Sequence, residues 1–376
     1  MKYYLIAGEA SGDLHASNLM KEIKKLDSEA DFRCWGGDLM EKQGGELVKH
    51  YRDLAFMGFI EVLLNIRKIT GNLKFCKQDI KKFQPDVVIL VDYPGFNLRI
   101  AKFVKASGIR VFYYISPQLW AWRSSRVKMI KKNVDKMFVI LPFEKEFYAN
   151  HGYEVDFIGH PLLDLFLNDL QLVRKGSFLY QNNLDQRPIV SLLPGSRRQE
   201  IAKMLGIMLQ TSEYFPDFQF VVAAVQSIPP EFYKKCTRNV PVSIIYNQTY
   251  DLLKLSDAAL VTSGTATLET ALIGTPQVVC YKGSCLSYLI ARMVVHVKYI
   301  SLVNLIMDKK VISELIQANL TKENLVIELK KILPGNHYRE TILRDYAVLK
   351  EKLGGTGASA KAASLIVQYL RKNEVR

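Results

Sequence analysis

The chain has 376 residues, 49% of them hydrophobic and 23% charged, with 51 lysines and arginines against 37 acidic residues and a formal charge of +14. That length exceeds one average core and predicts two domains. No apolar run approaches the roughly 20 residues of a bilayer-spanning helix. The positive balance narrows the partners to anions: nucleic acid, an acidic membrane surface or phosphorylated small molecules.

In chain order, Met1 to Ala7 reads as a first strand. Its apolar core is too short for a signal peptide and no small-residue cleavage site follows, so a cytoplasmic protein is expected. It runs into Gly8-Glu9-Ala10-Ser11-Gly12-Asp13, and a helix is expected over His15 to Leu26. Gly8 and Gly12 suit a tight βα connection or a loop whose backbone approaches a ligand. The spacing is not Gly-x-Gly-x-x-Gly, so no dinucleotide cofactor is expected.

Met57-Gly58-Phe59-Ile60-Glu61-Val62-Leu63-Leu64 is an apolar stripe followed by Arg67, Lys68, Lys74, Lys77, Lys81 and Lys82. It fits core packing or a surface resting on anionic lipid. Asp86 to Val91, after Pro85, is a continuous apolar run of the kind buried on both faces of a parallel sheet. Asp92 stands just beyond it. It either caps the turn before Pro94 or faces a cleft as a general base whose pKa burial raises.

Arg99 to Ser107 is helical up to Gly108, and Arg110 to Ile115 and Lys136 to Leu141 are further strands. Between them, Tyr113 to Trp122 joins a run of aromatics to Arg123, Arg126, Lys128, Lys131 and Lys132. These aromatics line an acyl or sugar pocket or simply pack.

After Gly159-His160-Pro161 the polar stretch Asp164 to Arg187 reads as a linker. The alternation then restarts with strands Ile189 to Leu193, Phe218 to Ala224, Ala258 to Val261 and Gln277 to Tyr281, which means parallel βαβ units. Leu193-Pro194-Gly195-Ser196-Arg197 leaves one such strand and opens a helix. Arg197 is either a surface residue or a bidentate ligand of a diphosphate. Ser263-Gly264-Thr265-Ala266-Thr267-Leu268-Glu269 follows another strand, and its turn aims bare N–H groups and a helix N-terminus at one point, as a phosphate requires. Glu269, one turn further, is placed for a sugar hydroxyl. A last amphipathic helix, Ala358 to Leu370, follows Gly354-Gly355-Thr356-Gly357. The expected divisions are an N-terminal domain over 1–165, a nucleotide-binding domain over 166–345 and a C-terminal helical segment over 346–376 that packs back on the first domain. Five scattered cysteines without a Cys-x-x-Cys pair, and histidines without metal-ligand spacing, predict neither a disulfide framework nor a protein-bound metal.

Together these pieces resemble the lipid-A-disaccharide synthase family of Gram-negative bacteria. The matching segments are Ala7 to Asp13, Met57 to Leu63, Ser116-Pro117 through Trp120-Ala121-Trp122-Arg123, Leu141-Pro142-Phe143-Glu144, Gly159-His160-Pro161, Leu193 to Arg197, Ser263 to Glu269 and Ser301-Leu302-Val303-Asn304-Leu305. The resemblance implies an α/β GT-B architecture, two Rossmann-like doubly wound domains facing a cleft. It implies a metal-independent, inverting transfer from UDP-2,3-diacylglucosamine to 2,3-diacylglucosamine 1-phosphate, giving a β-1,6 bond and UDP without a cofactor.

By the same resemblance Arg197, Ser263, Gly264, Thr265 and Glu269 bind UDP, and Asp92 is the base for the acceptor 6-hydroxyl. Gly8, Glu9, Ser11, Gly12 and Asn304 belong to substrate loops. Gly95 stands where the family often carries a second acid. Met57, Phe59, Ile60 and Leu63 are expected to contact acyl chains or the inner leaflet, making the protein peripheral to the inner membrane. A homodimer is also implied. The rivals are another UDP-sugar glycosyltransferase or epimerase on the same fold, and a basic nucleic-acid-binding protein. The last lacks any helix-turn-helix, zinc-finger or RRM signature.

Overall fold

Continuous apolar runs become the central strands of two parallel sheets. A computed structural model describes residues 1–53, 66–122, 126–164, 173–237, 240–283 and 298–372. The chain divides into two compact units, Met1–Asp164 with Leu353–Arg376, and Leu165–Lys352.

In the first unit, seven strands form one sheet: β1 (Lys2–Ala7), β2 (Asp31–Gly36), β3 (Glu46–His50), β4 (Val87–Val91), β5 (Arg110–Tyr114), β6 (Lys136–Val139) and β7 (Asp156–Phe157). Their order is β3-β2-β1-β4-β5-β6-β7 and every pairing is parallel. Alternate residues of a strand face opposite ways, so β1 and β4 feed two cores. Tyr3, Leu5, Val87 and Ile89 pack on one side against Leu19, Met20 and Ile23 of the first helix and Ala362, Ala363 and Ile366 of the last. Tyr4, Ile6, Val88 and Leu90 pack on the other against Cys76, Ile80, Ile100 and Ala101.

The second unit repeats the plan with β8 (Ile189–Leu193), β9 (Gln219–Ala224), β10 (Ser243–Tyr246), β11 (Ser256–Thr262), β12 (Gln277–Tyr281) and β13 (Ser313–Ile316), in the order β10-β9-β8-β11-β12-β13, again all parallel. Each sheet thus reverses its winding once, between β1 and β4 and between β8 and β11. Ligands of doubly wound folds bind beyond the strand ends at that reversal.

The first helix spans Ala10–Leu26 and the helix after β4 spans Pro94–Ala106, each beginning five residues before the expected start. Gly12 is a poor helix former and masked the first onset. A Cβ there would come within 3.2 Å of the Ala7 Cβ, so the close strand–helix approach needs it. Pro94 is the first residue of the second, where its missing N–H leaves nothing unpaired. The expected border at 345/346 falls inside the continuous helix His337–Lys352. The polar stretch expected as a linker contains the helix Lys175–Gln181, whose Phe178 and Leu179 join the core of the second unit.

The last helix, Ala358–Arg371, is tied into the first unit at its N-terminus. Asp164 accepts the Gly357 and Ala358 N–H groups at Oδ1 (2.6 and 3.3 Å) and the Ser359 N–H at Oδ2 (3.0 Å). The His160 N–H donates to the Leu353 carbonyl at 3.0 Å. Gly159, at φ +89°, leaves 3.2 Å between that carbonyl and the place a Cβ would take, so the motif Gly159-His160-Pro161 is where the departing and returning chain meet. Burial drives the pKa of His15 down to about 4 and that of His160 to about 3, the latter helped by His15 itself. Both rings titrate near 6.5 when unfolded, so the unfolded chain takes up protons that the native state refuses. Stability should therefore be full above pH 6.5 and fall as the pH drops toward 4, by about 2 kcal/mol per histidine at pH 5. Urea titrations at pH 7 and 5 measure this, and replacing His15 and His160 by glutamine should flatten the difference.

Candidate active site

At the reversal in the first sheet, Ala7 pairs with Val91, so the segments leaving β1 and β4 emerge side by side. The β1 segment is Gly8 and Glu9, with Glu9 as the N-cap residue of the first helix. Ser11 and Gly12 therefore lie in that helix's first turn, not in an open loop. Glu9 and Ser11 are exposed, whereas Gly8 and Gly12 are buried. Asp13, 3% exposed, is consumed structurally: it accepts from the Gly37, Leu39 and Met40 N–H groups at 2.8, 3.2 and 3.1 Å and so caps the short helix Asp38–Lys42.

The β4 segment makes a turn of two left-handed residues, Asp92 at φ +41° and Tyr93 at φ +48°. The Asp92 N–H still continues the ladder, donating to the Tyr114 carbonyl at 3.3 Å. Its carboxyl is pushed up to about 6, first by burial and then by the negative charge of Glu9, against a hydrogen bond from the Tyr93 backbone. The Tyr93 ring lies on Gly8, where a Cβ would come within 2.3 Å of Tyr93 Cγ. Gly95 is exposed with open space where a side chain would project. Asp92 is therefore the acid at this strand end, and its raised pKa suits proton abstraction near neutrality.

At the second reversal, Leu193 pairs with Val261 and again two segments leave together. Beyond β11 the helix Thr265–Ile273 starts at Gly264, with no side chain capping it. Gly264 and Thr265 are exposed, and no heavy atom stands within 4 Å of where a Gly264 Cβ would be. Ser263 is pinned by its N–H to the Cys280 carbonyl at 3.0 Å and by its hydroxyl to the Ile300 carbonyl at 3.3 Å. Thr267 closes the first turn on the Gly264 carbonyl through its hydroxyl at 2.8 Å. What is left is an uncapped positive helix end facing outward, the arrangement that binds phosphate. Glu269 follows one turn in, its carboxyl raised by burial, with the Tyr250 phenol feeling its charge.

Arg197 is the N-cap residue of the helix Arg198–Leu209. The Ser196 and Arg197 N–H groups donate to Glu200 Oε2 at 3.0 and 3.2 Å, and the guanidinium lies 3.6 Å from Glu200 Oε1. A cation at a helix start is unfavourable in isolation, and Glu200 is the local answer. Gly195, at φ +113°, makes room for it, since a Cβ would stand 2.6 Å from the Glu200 carboxylate. The pattern of a residue followed three positions later by glutamate was the available signal for this cap. The Arg197 side chain nonetheless stays 67% exposed.

Asn304 departs from the expected substrate-facing position. It is fully buried: its amide nitrogen donates to the Ile312 carbonyl (2.9 Å) and Glu314 (2.8 Å), and its oxygen accepts the Val311 and Ile312 N–H groups (2.8 and 3.0 Å). Glu314 in turn holds the Ile300 and Ser301 N–H groups, both at 3.0 Å. Asn304 thus shapes the segment that Ser263 leans on. In the aromatic run, Trp120 packs edge-to-face on Phe143 at 4.9 Å, and Ser116 meets the Tyr148 hydroxyl at 2.8 Å. Glu144, 1% exposed, accepts the Leu141 N–H at 2.9 Å and closes a helix start. Trp120 and Phe143 thus pack on each other, while Ser116, Tyr148 and Glu144 are held by hydrogen bonds. Met57, Phe59, Ile60, Leu63 and Arg123 lie outside the described residues.

Among solved structures, a UDP-GlcNAc 2-epimerase from Neisseria meningitidis bound to UDP-GlcNAc is 13% identical, with a TM-score of 0.65 over 99% of this chain and all of its own. A glycotransferase of kitacinnamycin, also 13% identical, superposes with a TM-score of 0.62 over 98% of each chain. At that identity they show the fold, a pair of Rossmann-like domains of the GT-B kind. Sequence relatives are much nearer. The lipid-A-disaccharide synthase of Syntrophus aciditrophicus (strain SB) is 39% identical over 98% of both chains, and that of Geobacter sulfurreducens is 36% identical over 98% of this chain and 97% of its own. A family model described as lipid-A-disaccharide synthetase matches residues 3–367. The chain therefore belongs to the lipid-A-disaccharide synthetase family.

Proposed function

We propose that the protein transfers the diacylglucosamine of UDP-2,3-diacylglucosamine to the 6-hydroxyl of 2,3-diacylglucosamine 1-phosphate, forming the β-1,6-linked disaccharide 1-phosphate and UDP. The observation that carries this beyond family membership is Asp92, a partly desolvated carboxylate at the β1/β4 reversal with its pKa near 6. It takes the hydroxyl proton as the acceptor oxygen attacks the anomeric carbon. The bond from that carbon to the diphosphate breaks on the opposite face, its electron pair leaving with UDP, so the configuration inverts. The leaving diphosphate is neutralised by Arg197 and the uncapped helix start at Ser263, Gly264 and Thr265, while Glu269 accepts a hydroxyl of the nucleotide ribose. Glu9, whose charge Asp92 feels, and Ser11, both exposed, contact the acceptor. Purified protein given both diacylated substrates should release UDP, and no release at any acyl length would refute the reading.

Both substrates are lipids, and the basic face offers a way to reach them. The helix Ile66–Phe83 exposes Arg67, Lys68, Lys74, Lys81 and Lys82, with Phe75 45% exposed among them. Among the described residues no helix is long and apolar enough to cross a membrane. The apolar residues Met57 to Leu63, just before this helix, dock the protein on the anionic inner leaflet. Replacing Phe59, Ile60 and Leu63 by serine should lower binding to vesicles of anionic phospholipid at least several-fold while far-UV circular dichroism stays native. Unchanged binding by the folded variant sinks the docking idea.

A further inference from the structure

The turn that presents Asp92 adopts backbone angles that non-glycine residues rarely take, twice in succession. Such a conformation persists only where its surroundings over-determine it. Two side chains do so here. Asn97, fully buried in the helix Pro94–Ala106, donates from Nδ2 to the Asp92 carbonyl at 2.8 Å, the Val91 carbonyl at 3.2 Å and the Ile6 carbonyl at 3.4 Å. It thereby gathers the carboxyl ends of β1 and β4 onto one amide. Among the described residues its buried Oδ1 has no hydrogen-bond partner, so the donor half of the amide is what the turn uses. Tyr113, fully buried on β5, donates its hydroxyl to the same Asp92 carbonyl at 2.5 Å. Tyr93 completes the clamp by lying on Gly8, so the shape of the turn and the start of the substrate segment are set together.

We propose that Asn97 and Tyr113 are positioning residues for the transfer step: by holding the Asp92 carbonyl they hold the left-handed turn that determines where the Asp92 carboxylate stands. The proposal rests on Asp92 being the base. Released from the clamp, the turn relaxes toward ordinary backbone angles and the carboxylate swings away from Glu9 into water. An angstrom of misplacement is enough to cost on the order of 10²-fold in rate.

The test is the pH dependence of kcat in Asn97→Ala and Tyr113→Phe, with UDP affinity measured alongside by calorimetry. We expect kcat to fall on the order of 10²-fold in Asn97→Ala and about tenfold in Tyr113→Phe. UDP affinity should stay within twofold, because UDP is held by residues of the other unit. The acid limb of kcat/KM, followed alongside kcat, should move from about 6 toward the ordinary aspartate value near 4. Tyr113→Phe keeps the packing of its ring, so it decides the matter should Asn97→Ala not fold. Folded variants with wild-type kcat and an unmoved acid limb would overturn the proposal. Full turnover by Asp92→Asn would instead overturn the base assignment beneath it.

Discussion

Asp92→Asn should bind UDP like the wild type and transfer almost nothing. A positioned general base contributes about 10²- to 10⁴-fold, and the amide keeps the size of the side chain while removing the proton acceptor. UDP release at saturating substrates should fall by that factor, with UDP affinity within twofold. In the wild type only the ionised carboxylate accepts a proton, so kcat/KM should fall as the pH drops through about 6, where an ordinary aspartate would hold its rate to near 4. A second consequence runs the other way. The raised pKa means that the unfolded chain loses this proton at lower pH than the native state, so ionised Asp92 destabilises the fold above pH 6. Asp92→Asn should therefore melt at a higher temperature than the wild type at pH 8 and lose that advantage near pH 4. A variant that is inactive and also less stable at pH 8 would mean that Asp92 serves structure.

Asp79→Ala should strongly destabilise the first unit. Asp79, 6% exposed on the helix Ile66–Phe83, takes both arms of Arg33, Nε to Oδ2 at 2.8 Å and the terminal nitrogen to Oδ1 at 2.7 Å. The Tyr4 hydroxyl donates to Oδ2 at 2.7 Å and itself accepts from the Trp35 indole at 2.7 Å, while Arg33 also pairs with Glu46. One carboxylate thus joins β1, β2 and the helix. Burial would raise its pKa, yet Arg33 and Tyr4 outweigh that and hold it below the usual range. Deleting the carboxylate leaves the Tyr4 hydroxyl without its acceptor and half of Arg33 unpaired, a loss of about 3–5 kcal/mol. Denaturant titration of Asp79→Ala against Asp79→Asn reads it, and the amide should recover part of the loss. Because the native pKa is depressed, this contribution is present above the unfolded value near 4 and fades as the pH falls below it. A loss under 1 kcal/mol would mean that the network is held by its packing alone.

Two kinds of signal made the molecule readable in one dimension. Ile189–Leu193 and Gln277–Tyr281 were legible to the residue because strands buried on both faces leave a short, mostly apolar run. Strands with mixed surroundings left no such mark. β3 carries Lys49 and His50 and is only half buried, and β7 is two residues long, so neither showed in the sequence. At the candidate sites, glycine and hydroxyl residues after strands marked the turns into the helices Ala10–Leu26, Arg198–Leu209 and Thr265–Ile273, because a strand-to-helix turn is a local event. What stayed hidden was non-local. That Asn304 faces inward and that Asn97 reaches back to Ile6 across 91 positions both depend on tertiary neighbours. The buried histidines were equally silent, since their depressed pKa values come from burial that only the folded unit supplies.

That return has a consequence for how the protein is made. The Asp164 carboxylate that caps the final helix waits for a partner 193 residues further along the chain, and Ala362, Ala363 and Ile366 fill a core begun by Tyr3 and Leu5. A ribosome releases the second unit whole before the first can close, so the early sheet emerges with one apolar face only partly covered, by the first helix, throughout synthesis. A nascent chain stalled before Ala358 should be the form that chaperones hold and proteases cut. The last fourteen-residue helix is then the step that turns a sticky intermediate into a finished protein.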